Sequence, residues 1–263
     1  MKARLNNFNG VKLLVGCMSI CAFLLFWNWG TTCTDLGAVM ASPGDVLQRF
    51  IESTHDPIGP YTIWGHLASS LSRVMTGFVI ASICGVLLGL AMGWNPIVEA
   101  AAKPLFELLR PIPPIAWISL AVLWFGLGET AKYFIIFLSG FFNITINIYT
   151  GAKNVDPELI GAAKMLGCSE RKIFTTIVLP SSVPYIFTGL HIALSSSWAA
   201  VVAAEMVRST DGVGWLITQG MSISDTSQIM VGILTIGVVG FVLSSIMRGV
   251  EAKLCAWSRV EDS

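Results

Sequence analysis

Charge is what this sequence has least of. Asp, Glu, Lys and Arg make up 12% of its 263 residues, against about 25% in ordinary soluble domains. So few charges cannot cover a surface that faces water. With 54% hydrophobic residues and a mean hydropathy of +0.72, the chain reads as an integral membrane protein with the lipid bilayer as its solvent. The 16 basic and 16 acidic residues cancel, and no basic run of the kind that binds nucleic acid occurs.

Motifs for chemistry are also missing. There is no G-x-x-x-x-G-K-[ST], so no nucleotide is held through a P-loop, and there is no H-E-x-x-H or G-x-S-x-G. The three histidines, His55, His66 and His191, are too scattered to suggest a metal centre, and no cofactor is expected. The six cysteines, Cys17, Cys21, Cys33, Cys84, Cys168 and Cys255, read as small hydrophobes rather than a disulfide framework. No acid or base lies in the middle of an apolar run, which argues against a proton relay. An enzyme reading finds nothing to hold. What remains is a membrane pathway or a scaffold that takes its energy from elsewhere.

What the sequence does have is long uncharged runs, at 13–34, 74–98, 111–128, 133–152, 173–204 and 226–247. A bilayer core needs roughly 20 apolar residues per helix, so each run holds one crossing, with the fifth starting near Pro184 because Pro180 and Pro184 interrupt it. The expected fold is all-α and polytopic, with six transmembrane helices and both termini on one side. The first run is too long for a signal-peptide core and is read as a retained helix. If the N-terminus is cytoplasmic, only Arg49, Arg73, Lys132 and Arg208 of the 16 basic residues lie outside, and the other 12, Arg110 among them, lie inside. Basic residues prefer the cytoplasmic side, so both termini are placed there.

Several stretches carry local signals. Ser42-Pro43-Gly44-Asp45 opens a short external amphipathic helix with Val46, Leu47, Phe50 and Ile51 on one face. In the second crossing Gly77, Ala81, Gly85, Gly89 and Gly93 recur every fourth residue, which lets a second helix approach closely. That helix belongs either to the chain's own bundle or to a second copy. Arg110-Pro111-Ile112-Pro113-Pro114 cannot start a regular helix, and is either a packed turn leading into the third crossing or part of a gate. Asn143, Asn147, Ser195, Ser196 and Trp198 are candidates for the lining of a translocation path; the polar ones serve equally well as interhelical hydrogen-bonding groups. Between the last two crossings, Asp211-Gly212-Val213-Gly214-Trp215 suggests a loop that dips back toward the bundle.

The most structured signal is a charged interruption at 155–180. Asp156 is an N-cap with Pro157 behind it, and Leu159, Ala162, Ala163 and Leu166 are spaced as one apolar helical face. Gly167 suits a left-handed C-terminal residue. Ser169 caps a second helix with Ile173, Phe174, Ile177 and Val178 inward, and Pro180 ends it. The expected product is a cytoplasmic elbow of two short helices.

This elbow resembles a family signature. The inner-membrane permeases of bacterial ABC importers carry E-A-A, three residues, Gly, nine residues, then I-x-L-P; here Gly161-Ala162-Ala163, Gly167 and Ile177-Val178-Leu179-Pro180 stand at that spacing. Gly161 replaces the family's acid, which puts a salt bridge there in doubt, although Glu158 lies a turn earlier. Arg110 to Trp117, Trp124 to Thr130, Trp198 and Val202-Ala203-Ala204-Glu205-Met206 are similar to the taurine, aliphatic sulfonate and nitrate permease subfamily. The resemblance implies a type I (MetI-like) permease fold in a bacterial inner membrane. It divides the chain into an N-terminal helix with an external segment (1–63), the permease domain (64–248) with a coupling helix at 155–178, and a cytoplasmic tail (249–263). It implies a homodimer, two copies of an ABC ATPase subunit docked on Gly161, Ala162, Ala163, Leu166, Gly167 and Ser169, and a periplasmic binding protein that delivers a small anion. Taurine or another sulfonate comes first and nitrate second.

Overall fold

The computed structural model describes residues 2–207 and 209–254, with side chains from Leu14 onward. Arg208 and residues 255–263, most of the expected tail, lie outside them. Eleven α-helices follow one another among the described residues: α1 Lys2–Cys33, α2 Pro43–His55, α3 Ile63–Trp94, α4 Pro96–Leu109, α5 Ile118–Phe125, α6 Glu129–Lys153, α7 Pro157–Met165, α8 Glu170–Ile173, α9 Leu179–Val207, α10 Val213–Ser222 and α11 Thr226–Leu254. Five are long and apolar enough to cross a membrane, and the bent pair formed by residues 96–125 brings the number to six when counted as one broken span.

The core is the triad α3, α6 and α9. Gly77, Gly85, Gly89 and Gly93 of α3 all lie on α6, against Ile136, Ile144, Ile148 and Ala152. A Cβ at Gly89 would sit 2.9 Å from the Thr145 carbonyl oxygen and from the Ile148 side chain, so the stripe exists because two backbones nearly touch. The small-residue face therefore packs within the chain's own bundle. Val74, Phe78, Ile136, Ile144, Leu194 and Trp198 form the buried cluster at this junction, and α11 covers α9 through Ile236, Val239, Leu243 and Met247. The outward faces of α1, α3 and α11 expose Phe26, Leu87 and Phe241, as helices solvated by lipid do. The first helix touches the bundle near its C-terminal end, where the Trp27 indole donates to the Ala41 carbonyl at 3.1 Å.

Four expectations change. The third crossing is not a helix over 111–128. Residues 110–113 break it, and the helices on either side are bent by 86°. Helix α4 climbs beside α6, from Glu99 paired with Lys153 and Tyr149 to Phe106 packed edge-on against Phe141 and Phe142. Helix α5 then lies across α6, with Trp117, Trp124 and Phe125 gathered around Phe134. This places Arg110 partway up the bundle rather than on the cytoplasmic surface. The helix of the fifth crossing is not broken at Pro180. Residues 170–207 form one continuous helical span, because a π-turn at Phe174–Val178, closed by Leu179 N–H donating to the Phe174 carbonyl, leads into Pro180. A wider turn of this kind moves the backbone past the proline, which lacks a donor of its own. On α2 the capping box of Ser42 and Asp45 forms, but Val46 is buried with Phe50 packed beside it while Leu47 and Ile51 are exposed. On α7 the predicted single apolar face is split, with Ala163 buried and Leu159, Ala162 and Leu166 exposed, as described below. The segment after Asp211 does dip back: α10 buries Val213, Leu216 and Ile217 in the bundle.

Candidate functional site

The cytoplasmic elbow is built from its caps. The Asp156 carboxylate accepts from Glu158 N–H at 2.8 Å and starts α7 with Pro157 at its first position. At the other end Gly167 has φ +76°, a conformation that costs an L-residue about 1–2 kcal/mol. Its N–H donates to the Lys164 carbonyl at 2.9 Å, and Cys168 N–H donates to the Ala163 carbonyl at 3.0 Å. This pair of bonds is the Schellman closure. Ser169 Oγ accepts from Lys172 N–H and starts α8, and Lys164 spans the bend to Glu170 at 2.9 Å.

The elbow is held by its other side. Val155 and Val178 are buried with Ala152, and Ile160, Phe174 and Ile177 pack on them beneath Leu90 and Trp94. Ala163 and Ile173 are buried as well. Of the four residues expected on one apolar face, only Ala163 is buried, while Leu159, Ala162 and Leu166 point outward; Leu166 is 83% exposed and its neighbour Met165 86%. The reason is that Ile160 and Ala163 already fill the contact with the bundle, and these three residues lie on another side of the helix. The result is a projecting helix with an apolar tip. Gly161 is half-buried, and a Cβ there would meet nothing within 4 Å, so its glycine is not forced by packing.

The expected path residues are brought together only in part. Asn143 Nδ2 donates to Ser196 Oγ at 3.0 Å and to the Ser139 carbonyl, joining α6 to α9. Asn147 turns back to the Asn143 carbonyl, and the exposed Ser195 to the His191 carbonyl. A cavity of about 290 Å³ opens beside Ser196, lined by Ser139, Ala199, Ala203, Pro114 and Ile115. Trp198 does not join this group. It is buried, and its indole donates to the Ile236 carbonyl of α11; a ring locked between two helices faces no pathway.

A polar cluster that the sequence reading missed lies at the opposite end of the bundle. Arg73 of α3 donates to Glu129 of α6 at 2.6 and 2.9 Å, to Glu205 of α9 at 2.9 Å and to Asp211 at 2.7 Å. Glu205 is fully buried and also accepts from Ser70 Oγ at 2.8 Å and from Gly214 N–H at 3.0 Å. Lys132 bridges Glu129 and Ser209. His66 accepts from Gly212 N–H at Nδ1, so its proton sits on Nε2, facing the Ile58 carbonyl. Burial pushes the Asp211 carboxyl up, but the hydrogen bond and charge of Arg73, with the charge of Lys132, hold it below the usual carboxylate value. The signal was present in the sequence: Arg73, Glu129, Lys132 and Glu205 all sit at the ends of uncharged runs on the side predicted to be external.

Comparison with known proteins places this geometry. Residues 67–254 match the family described as binding-protein-dependent transport system inner membrane component. The chain is 33% identical over 249 residues to the taurine transport system permease protein TauC of Escherichia coli (strain K12), covering 94% of this chain and 90% of that one. It is 32% identical over 241 residues to the nitrate import permease protein NrtB of Leptolyngbya laminosa, covering 90% and 86%. Its fold is similar to a chain of the inward-facing MetNI methionine ABC transporter, with a TM-score of 0.58 at 18% identity over 73% of this chain and 93% of the other.

Proposed function

Because the chain belongs to the family of binding-protein-dependent transport system inner membrane components, a family of multi-pass inner-membrane proteins, we propose that it forms the solute path of an ATP-driven importer for a small sulfonate, taurine foremost, with nitrate as the alternative cargo. In this reading the elbow docks on a separate ATPase subunit, two permease copies flank the path, and a soluble binding protein delivers the solute from outside. The observation that carries it is the elbow. A folded helix whose buried side is already satisfied has no reason to present Leu159, Met165 and Leu166 to water unless another surface covers them.

The mechanism follows from connectivity. The second helix of the elbow runs on into α9 as one continuous span over 170–207, which carries Ser195 and Ser196. Displacing the elbow toward its twin, as closure of two ATPases would, pulls on the foot of that rod. The Asn143–Ser196 seam and the cavity beside it then move with it. The permease itself catalyses nothing. The polar cluster of Arg73 and Glu205 keeps the external ends of α3, α6 and α9 together while the cytoplasmic ends move.

The test is ATP-dependent uptake of labelled taurine into vesicles holding the permease, its ATPase and its binding protein, with nitrate and an aliphatic sulfonate as competitors. Uptake that requires all three chains supports the reading. Uptake without the ATPase, or none with any of these solutes, refutes it.

A further inference from the structure

The break in the third crossing carries a charge at a depth where charges are costly. Phe106 stacks edge-on against Phe141 and Phe142, at the midpoint of α6. Arg110 follows four residues later, about 6 Å further along a helical rise, which brings it level with Ser139. The cavity gives the same level independently, since Pro114 and Ile115, just past the break, line it together with Ser139 and Ser196. Ser139 is ten residues from the external start of α6 at Glu129, roughly 15 Å into the bundle. Arg110 is exposed, and among the described residues no carboxylate lies within ion-pair distance of it.

It does not stand alone on its helix. Glu99, Lys103, Glu107 and Arg110 follow at spacings of four, four and three, which makes one stripe along α4. Leu105 and Leu108, both exposed, lie on the opposite side. An arginine facing lipid at this depth is disfavoured, and such groups face a bundle interior or a water-filled cavity. Non-helical backbone at membrane depth carries the same requirement, and residues 110–113 are non-helical and exposed. Lower down, Glu99 and Phe106 seat this side of α4 on α6, and the two constraints together assign its exposed end, at Glu107 and Arg110, to water.

We propose that the exposed end of α4 at Glu107 and Arg110 lines the solute path, and that Arg110 is a recognition point within the permease for the anionic group of the solute, a sulfonate or another oxyanion. A guanidinium suits this task because it stays charged and presents several N–H donors to two oxygens at once. The three prolines around it remove backbone donors and hold the break open, so the side chain is offered at the corner between α4 and α5. Just past the break, Ser139 and Ser196 line the cavity together with Pro114 and Ile115. This inference rests on the transport reading above.

Two measurements test it in the full complex. The first uses a background in which the six cysteines are replaced, with single cysteines introduced at positions 103, 105, 107, 108 and 110, and a membrane-impermeant anionic thiol reagent. Labelling at 107 and 110, less at 103 where Lys103 sits over Tyr149, and none at 105 and 108 is expected; a protected 110 beside a labelled 105 or 108 would overturn the proposal. This readout needs no knowledge of the solute, so it stands even if taurine is not transported. The second compares Arg110→Gln and Arg110→Lys for taurine uptake and for ATP hydrolysis stimulated by the loaded binding protein. Loss of one charge-assisted contact should lower uptake by Arg110→Gln about tenfold or more, with stimulated hydrolysis retained and much of the uptake restored in Arg110→Lys. Wild-type uptake by Arg110→Gln, or equal loss of hydrolysis and assembly in both variants, would refute a recognition role.

Discussion

Replacing Glu205 by Ala should destabilise the protein by about 3 kcal/mol. The carboxylate is fully buried, and it accepts from Arg73 at 2.9 Å, from Ser70 at 2.8 Å and from Gly214 N–H at 3.0 Å. Truncation leaves the Gly214 N–H buried without that acceptor, at a cost of about 1–3 kcal/mol, and removes a charge-assisted bond worth about 1.5–3 kcal/mol. The loss stays below the upper end of that sum because Arg73 keeps Glu129 and Asp211. It also falls because the remaining cluster is balanced, Arg73 and Lys132 against Glu129 and Asp211. Glu205→Gln keeps the shape and an acceptor for Gly214, so it should cost about half as much. The assay is unfolding in mixed detergent micelles, monitored by tryptophan fluorescence, with Ser195→Ala as an exposed control. A loss under about 1 kcal/mol for Glu205→Ala, or an equal loss for Gln and Ala, would show that the cluster does not hold the external ends of α3, α6 and α9 as argued.

Other substitutions probe separate features. Gly167→Ala should strain the elbow through its positive φ and lower detergent stability of the permease by no more than about 1 kcal/mol, while lowering the uptake obtained per ATP hydrolysed; normal coupling would remove the elbow from the mechanism. Gly89→Leu places a side chain against the Thr145 carbonyl and Ile148 and should cost at least about 3 kcal/mol, read as loss of monodisperse protein on size exclusion. Gly161→Glu adds an acid where a Cβ meets nothing and removes a glycine from a helix interior, so stability should rise by roughly 0.5–1 kcal/mol; a loss would mean the surroundings of α7 are misread. Asp211 titrates below its ordinary value when folded. Its stabilising contribution is therefore fully present above that ordinary value and is lost as pH falls through the lower folded one. Asp211→Asn should accordingly be less stable than wild type at neutral pH, with the gap closing only in that acidic window, as followed by unfolding at stepped pH.

Much of the elbow was legible because its signals are local. An N-cap, a proline behind it, a left-handed glycine and a second cap act within a few residues, and no distant contact is needed to place them. The direction in which the elbow faces was not legible. Leu159, Ala162 and Leu166 share a spacing, but spacing cannot say which side of a short helix meets the bundle. Ile160 and Ala163 won that contact because Val155 and Val178 were already there to receive them. Proline was misread for a similar reason. Pro180 rules out a standard helical bond at its own nitrogen, yet a π-turn one step earlier carries the chain past it, and only the packing of Ile173 and Val178 holds that turn in place.

By itself, the sequence determined the solvent, the number of apolar spans, the side on which charge collects and the chemistry of the elbow. These follow from composition and from rules that act within one helix. Only the tertiary structure decided that the glycine stripe of α3 lies on α6 of the same chain, that Trp198 belongs to the core, and that five charges from residues 73 to 211 meet in one cluster around the buried Arg73 and Glu205. It also lifted Arg110 from the cytoplasmic surface to the middle of the bundle. Each of these is a relation between residues far apart in the chain. Such relations are set by which surfaces fit and which charges must be neutralised together.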